Sequence, residues 1–177
     1  MPTTAFWEER LLTLPKYVDR PAQPYAAIRA LVTMKTIDEI APGRIEALFR
    51  RLGERGITPA GPLFFRYLAI DMNADLEIDF GVAVAEPIAP DEVLVAGTIP
   101  GGRYASVTYF GPYDDLYDVN TVMIGFARQR GLLFDQHVEG TSDVFGGRFE
   151  IYHTDPKAEP DPAKWETELA IRLADQG

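Results

Sequence analysis

The chain has 177 residues, 46% hydrophobic and 25% charged, the size and composition of one globular domain that buries a core without disulfide staples. It has no Cys, which excludes thiol catalysis and cysteine-ligated metal centres, and two His, at 137 and 153, with no second ligand at metal spacing, so no metal or other cofactor is expected. Its net charge of −10 is uneven, with 10 Lys and Arg against 12 Asp and Glu in residues 1–88 and 7 against 15 in residues 89–177; an acidic half repels phosphate backbones, so direct nucleic-acid binding is not expected.

The opening stretch, MPTTAFWEERLL, has no basic region ahead of an apolar run and does not read as a secretory signal. No run of 18 apolar residues occurs, so no membrane contact is expected and the chain reads as soluble and cytoplasmic. Residues 1–24 read as an extension in which Phe6, Trp7, Leu11 and Leu12 suggest a short helix, and residues 25–177 as a single domain. The first strand is YAAIRALVT (25–33). RIEALFRRLGERG (44–56) then sets Ile45, Leu48, Phe49 and Leu52 on one helical face and stops at Gly56, with Arg50, Arg51 and Arg55 as its solvated edge. Two strands, GPLFFRYLAID (61–71) and DLEIDFGVAV (75–84), lead to the linker AEPIAPDE (85–92). EVLVAGTIP (92–100) reads as a strand of the second half, followed by YASVTYFG (104–111). In GPYDDLYDVNTVMIGFARQRG (111–131), Pro112 suits a first turn and Asp114 and Asp115 a helix N-terminus; Leu116, Val119, Met123 and Phe126 form a stripe and Gly131 ends it. GGRFEIYHTDP (146–156) and WETELAIRL (165–173) are the closing strands.

Both halves thus run strand, helix, strand, strand, with Gly61 over Gly146, Phe64 over Phe149 and Tyr67 over Tyr152. Repeat 1 covers about 25–85 and repeat 2 about 92–175. Two βαββ units that each bury a sheet face under a helix predict a two-layer α+β domain. A pseudo-twofold arrangement would leave an open sheet face opposite the helices, carrying Phe65, Tyr67, Glu150, Tyr152 and Trp165. On this register Glu150 aligns with Phe65. By alternation alone, Glu150 is either a solvated charge or the acid of a pocket shared with Tyr152. His153, of opposite parity, reads as a half-buried, satisfied histidine on the helix-facing side.

IPGGRYASVTYFGPYDDLYDV (99–119) resembles a pair of motifs in the GyrI-like small-molecule-binding domains, also called AraC effector-binding or SOUL/BRE-type domains. These are a proline-glycine-x-tyrosine-alanine strand and the phenylalanine-x-glycine-proline-tyrosine-acid run after it. GGRFEIYHTDP with WETELAIRL is similar to that family's ending, and AAIRALVT through GPLFFRYLAIDMNADLEIDFGVAV to its other repeat, so the resemblance spans residues 25–173. It implies tandem duplicated βαββ units with a ligand cleft between the repeats, lined by aromatic residues and holding one acid. Carried over by position, the acid is Glu150 and the ligand-binding aromatics are Tyr67, Tyr104, Tyr152 and Trp165, with Phe65 beside them. Regulators of the family place a DNA-binding domain before the sensor; the 24 residues ahead of the first strand are too few for one, so a stand-alone member is expected.

The resemblance implies three functions. The first is a multidrug-type binding protein that captures or senses hydrophobic compounds, cations among them, because a carboxylate among aromatic rings suits lipophilic cations. The second is a hydrolase that opens strained cyclopropane rings of cytotoxic natural products, with Glu150 as acid or base and Tyr152 as its catalytic partner; no G-x-S-x-G elbow is present for nucleophilic chemistry. The third is a protein-interaction module whose partner is a regulator or a topoisomerase, as in the family's DNA gyrase inhibitors.

Overall fold

The computed structural model describes residues 10–176. Two short strands, β1 (Leu11–Leu12) and β2 (Lys16–Arg20), precede β3 (Gln23–Val32), helix α1 (Ile37–Glu54), β4 (Pro59–Ile70) and β5 (Leu76–Val84). The second half holds β6 (Val95–Ile99), β7 (Gly102–Phe110), a 3₁₀ turn at Tyr113–Asp115 and helix α2 (Leu116–Arg130). A hairpin of β8 (Gln136–Glu139) and β9 (Ser142–Phe145) follows, then β10 (Arg148–Tyr152) and β11 (Glu166–Arg172). The fold is α+β, as the periodicities predict: every described strand joins one sheet, and both helices pack on it.

The central strand order is β7-β11-β10-β4-β5-β3. It runs first, third and second strand of one strand-helix-strand-strand unit, then second, third and first of the other, so the two halves meet at their second strands. At that seam Glu150 lies opposite Phe65, Phe149 opposite Arg66 and Ile151 opposite Phe64.

The outer strands change places between the halves. β6 precedes β7 in the chain but pairs with β3, and β2 precedes β3 but pairs with β7. The register runs through both ladders: Arg20 lies opposite Gly102, then Gln23 opposite Ile99. Residues 16–32 and 95–110 therefore form two long antiparallel strands that bend together at Pro21–Ala22 and Pro100–Gly101. This ribbon curls the sheet round on itself. Its concave face closes over Tyr25, Phe64, Tyr104 and Phe149, with neighbouring ring centroids 5.4 Å (Tyr25–Phe64), 5.5 Å (Phe64–Phe149) and 6.2 Å (Tyr104–Phe149) apart. Arg66 seals this cluster, donating to the Tyr25 hydroxyl, the Thr98 carbonyl and the Gly146 carbonyl. Burial on both faces is why YAAI in β3 is a continuous apolar run rather than an alternating one.

The helices cover the convex face and sit over its outer strands. Leu48 and Leu52 of α1 pack with Ala26, Ile28 and Val82, while Leu116, Val119 and Met123 of α2 pack with Val107, Leu169 and Ile171. The central strands β4 and β10 lie between the helices, and there the sheet is exposed. The open surface is thus on the helix side, not opposite the helices as expected; the opposite face is consumed by the aromatic cluster.

Two local expectations are also revised, and one element is added. Leu11 and Leu12 form a strand against Phe110 and Tyr109 instead of a helix; Phe6 and Trp7 lie outside the described residues. Helix α1 begins at Ile37, seven residues before the expected start, because Pro42 and Gly43 do not stop it. The amide hydrogen that Pro42 lacks would have bonded the Asp38 carbonyl, and Asp38 stands at the wall of the open surface, where water can serve instead. The β8–β9 hairpin, short and mostly exposed, was not expected; it pairs onto the end of β4. No helix among the described residues is long and apolar enough to cross a membrane.

Candidate functional site

Strand parity places Arg148, Glu150 and Tyr152 of β10 on the same face as Phe65 and Tyr67 of β4. These five side chains form the floor of a cleft of about 1760 Å³, larger than the roughly 300–1,000 Å³ of an ordinary small-molecule site. Its walls are α1, through Ile37, Ala41 and Ile45, and α2, through Leu116, Asn120 and Ile124. Met34, Phe49, Met72, Tyr117 and Ile124 are large apolar residues exposed to solvent, and all line this groove. Exposed apolar surface gathered in one concavity marks a binding site rather than scattered surface hydrophobicity.

Glu150 is buried, at 8% exposure. Its Oε2 accepts from the Tyr152 hydroxyl at 2.7 Å, and its Oε1 lies 3.4 Å from the Asn120 amide nitrogen. The Tyr67 hydroxyl is a further hydrogen-bond donor to the carboxylate. Burial pushes the Glu150 carboxyl above its ordinary value, against the opposing pull of Tyr152, Tyr67, Arg148 and Asn120. Burial, then the neighbouring Glu150 charge, raises both Tyr67 and Tyr152 well above the ordinary phenol range, so both remain protonated donors. Tyr113, also in the cleft, is raised to about 12 by burial. Tyr152 is clasped by two rings at steep angles, Phe65 with a centroid distance of 4.8 Å and Tyr113 with 5.3 Å.

Of the residues expected at the site, Glu150, Tyr152, Tyr67 and Phe65 meet in the cleft. Tyr104 does not. Residues 105, 107 and 109 of β7 face the helices, so Tyr104 points to the concave face, where it is fully buried and its hydroxyl donates to the Pro100 carbonyl at 2.6 Å. Trp165 stands one ring back from the cleft: it lies 4.6 Å from Tyr113 and its indole donates to the Glu159 carbonyl. His153 does take the opposite side of β10 from Tyr152, but that side is the one away from the helices. There it bonds Glu168, which raises its pKa. Glu168 also accepts from Ser106 and pairs with Arg20.

Three site residues were missed. Arg148 shares the parity of Glu150 and could have been found by it. Tyr113 is the tyrosine of the FGPYD motif, a visible signal. Asn120 carries no such signal, because only the packing of α2 brings it over β10; its carbonyl accepts from Arg148 at 3.0 Å while its amide nitrogen faces Glu150. Among the described residues no three His, Asp or Glu side chains cluster as metal ligands would.

The family model of the GyrI-like small molecule binding domain matches residues 14–174. No curated protein matches the chain in sequence. Among solved structures, the C-terminal domain of EcmrR is similar at a TM-score of 0.71 and 16% identity, over 92% of this chain and 98% of that one. Against EcmrR in its complex with DNA the TM-score is 0.69 at 16% identity, over 94% of this chain, which spans only 58% of that relative's length. A hydrolase from Listeria innocua gives 0.60 at 14% identity, over 90% and 91% of the two chains. SAV2435 bound to tetraphenylphosphonium gives 0.61 at 9% identity, over 92% and 94%. At such identities these likenesses concern the fold.

Proposed function

This chain belongs to the GyrI-like small-molecule-binding family, and from that premise we propose that it captures or senses hydrophobic compounds, lipophilic cations among them, in the cleft around Glu150. One observation carries this reading: a buried carboxylate, ringed by Tyr67, Tyr152 and Phe65, forms the floor of an apolar groove open to solvent. The rings present their negative faces and the carboxylate supplies countercharge, each ring contributing roughly 0.5–2 kcal/mol toward a bound cation. The relative SAV2435, seen with a lipophilic phosphonium, supports the same class of ligand. A net charge of −10 supports a protein that acts without touching nucleic acid, and a cytoplasmic setting belongs to the same proposal.

The test is calorimetric titration with tetraphenylphosphonium and with neutral triphenylmethane. Glu150→Gln is expected to weaken the cation by about tenfold or more, a loss near 1.4 kcal/mol, and to leave the neutral compound within about twofold. Because the phosphonium charge is fixed, its affinity should also rise with pH through the raised pKa of Glu150, as the carboxyl ionises. Equal losses for both ligands would overturn this reading.

A second reading, hydrolysis, is favoured by the 2.7 Å hydrogen bond between Tyr152 and Glu150. An acid with a raised pKa beside a protonated tyrosine can exchange a proton with a substrate or a water. Mass spectrometry after incubation with a cyclopropane-bearing natural product distinguishes the two. Addition of one water, lost in Glu150→Gln, supports hydrolysis, and recovery of unchanged compound supports capture.

A further inference from the structure

We propose that Arg148 is a second polar anchor of the cleft, so that the site takes bipolar molecules: an aromatic body with a cationic group for Glu150 and a carboxylate or similar oxyanion for Arg148. This rests on the reading of the cleft as a small-molecule site and adds to it a specificity that Glu150 alone does not supply.

The two charges stand two residues apart on one face of β10, about 6.5 Å along the strand. Each has been positioned in a different way. Both oxygens of Glu150 already face donors from the protein, Tyr152 on one and Asn120 on the other, with Tyr67 as a further donor. The guanidinium carbon of Arg148 lies over the Phe145 ring, 4.8 Å from its centroid, and only Nη2 is engaged, by the Asn120 side-chain carbonyl at 3.0 Å.

Nε and Nη1 of Arg148 donate to no side chain or carbonyl among the described residues. Neither is among the sealed donors left without a partner, which in this chain include Nε of Arg20 and Nε of Arg66. Both therefore keep some exposure, on a residue that lines the cleft. Nor does any carboxylate among the described residues stand within ion-pair distance of Arg148; Glu150 and Asp143 act on it only through their charge at longer range.

A guanidinium partly withdrawn from water, with no carboxylate against it, is an unfavourable arrangement unless something else accepts its hydrogen bonds. Its planar fork matches a carboxylate or another oxyanion, which it can engage through two parallel N–H groups. The hydrogen-bonding capacity left open on the floor of the cleft is thus donor capacity, and it belongs to Arg148. A ligand that is only a cation satisfies Glu150 and meets Arg148 as a like charge. A ligand with both poles satisfies the whole floor.

The experiment uses rhodamine B, a xanthylium cation with a free carboxylate, and its ethyl ester, which keeps the cation and lacks the anion. Dissociation constants are read by fluorescence anisotropy, with tetraphenylphosphonium as a competitor. The full chain is expected to prefer rhodamine B by about tenfold, the order of a charge-assisted hydrogen bond in a partly dry site. Arg148→Met should abolish the preference by weakening rhodamine B while the ester holds or improves. Arg148→Lys, which keeps the charge but not the fork, should retain part of it.

A ratio near one for the full chain, or a ratio unchanged in Arg148→Met, overturns the proposal. The ratio in the full chain decides even if a variant fails to fold. Binding of the ester and of tetraphenylphosphonium without a preference leaves the cleft reading standing and removes only Arg148. Failure of both dyes and of tetraphenylphosphonium to bind removes both.

Discussion

Glu150 is costly to the fold that holds it. Its carboxyl has a native pKa raised above 4.5 by burial. Such a group contributes most to stability when protonated: the contribution is full below the unfolded value and is lost as pH rises through the native one. Glu150→Gln mimics the protonated acid at every pH. The variant is expected to melt higher than the natural chain at pH 7, by on the order of 1 kcal/mol or about 2–4 °C, and the gap should shrink toward pH 4. Thermal unfolding across that range checks it; equal melting temperatures at pH 7 would show that Tyr67, Tyr152 and Asn120 fully compensate the charge. A variant that is more stable yet binds cations less well would locate the charge in function and not in the architecture.

At the same scale, parity made Glu150, Tyr152, Tyr67 and Phe65 legible as one group, because residues two apart on a strand must share a face. Parity also places Tyr104 on the other face, since 105, 107 and 109 point to the helices. Motif resemblance alone put Tyr104 in the pocket. Where a motif and the pleat disagree, the pleat decides, because side-chain direction follows from backbone geometry.

The helices show how far local signals reach. Gly131 ends α2 as read: its φ is 65°, and the Leu132 amide turns back to the Ala127 carbonyl at 2.9 Å. A Cβ at Gly131 would meet nothing within 4 Å, so Gly131→Ala isolates the backbone cost and should destabilise by about 1 kcal/mol. Gly43, inside α1, is equally free of neighbours, and there Gly43→Ala should stabilise by about 0.5–1 kcal/mol. Opposite signs in denaturant midpoints for the two substitutions check the pair. Helix α1 runs through Pro42–Gly43 for a physical reason. Those residues are poor helix formers, but the turn before them is already supported by packing of Ile37, Ile40 and Ala41 against the sheet, and tertiary contact outweighs propensity.

For the molecule as a whole, the decisive feature is the bent ribbon of residues 16–32 and 95–110, which closes the concave face. Gly97 sits where that closure is tightest: a Cβ there would fall onto the ring of Tyr25, itself buried and bonded through its hydroxyl to Asp79 at 2.6 Å. The ring has no room to withdraw, so Gly97→Ala is expected to cost about 2–3 kcal/mol or more. Chemical denaturation checks it, and a loss under about 0.5 kcal/mol would mean that β6 is loosely attached. The same closure fixes the places of two outer strands. Residues 16–20, which carry no assignment in the sequence, complete the sheet against β7, and β6, at the head of the second half, pairs with β3 of the first.

Read alone, the chain determines its periods, the order of its two helices and main strands, the likeness of its halves and the partners of Glu150 along a shared face. All of these follow from local geometry, which repeats every two or every 3.6 residues. Only the folded structure decides which layer covers each face of the sheet, which edge strand pairs with which half, and that Asn120 meets Arg148 and Glu150 across the cleft. Those are long-range matters, set by how two helices share one curled sheet, and no short-range pattern in the sequence encodes them.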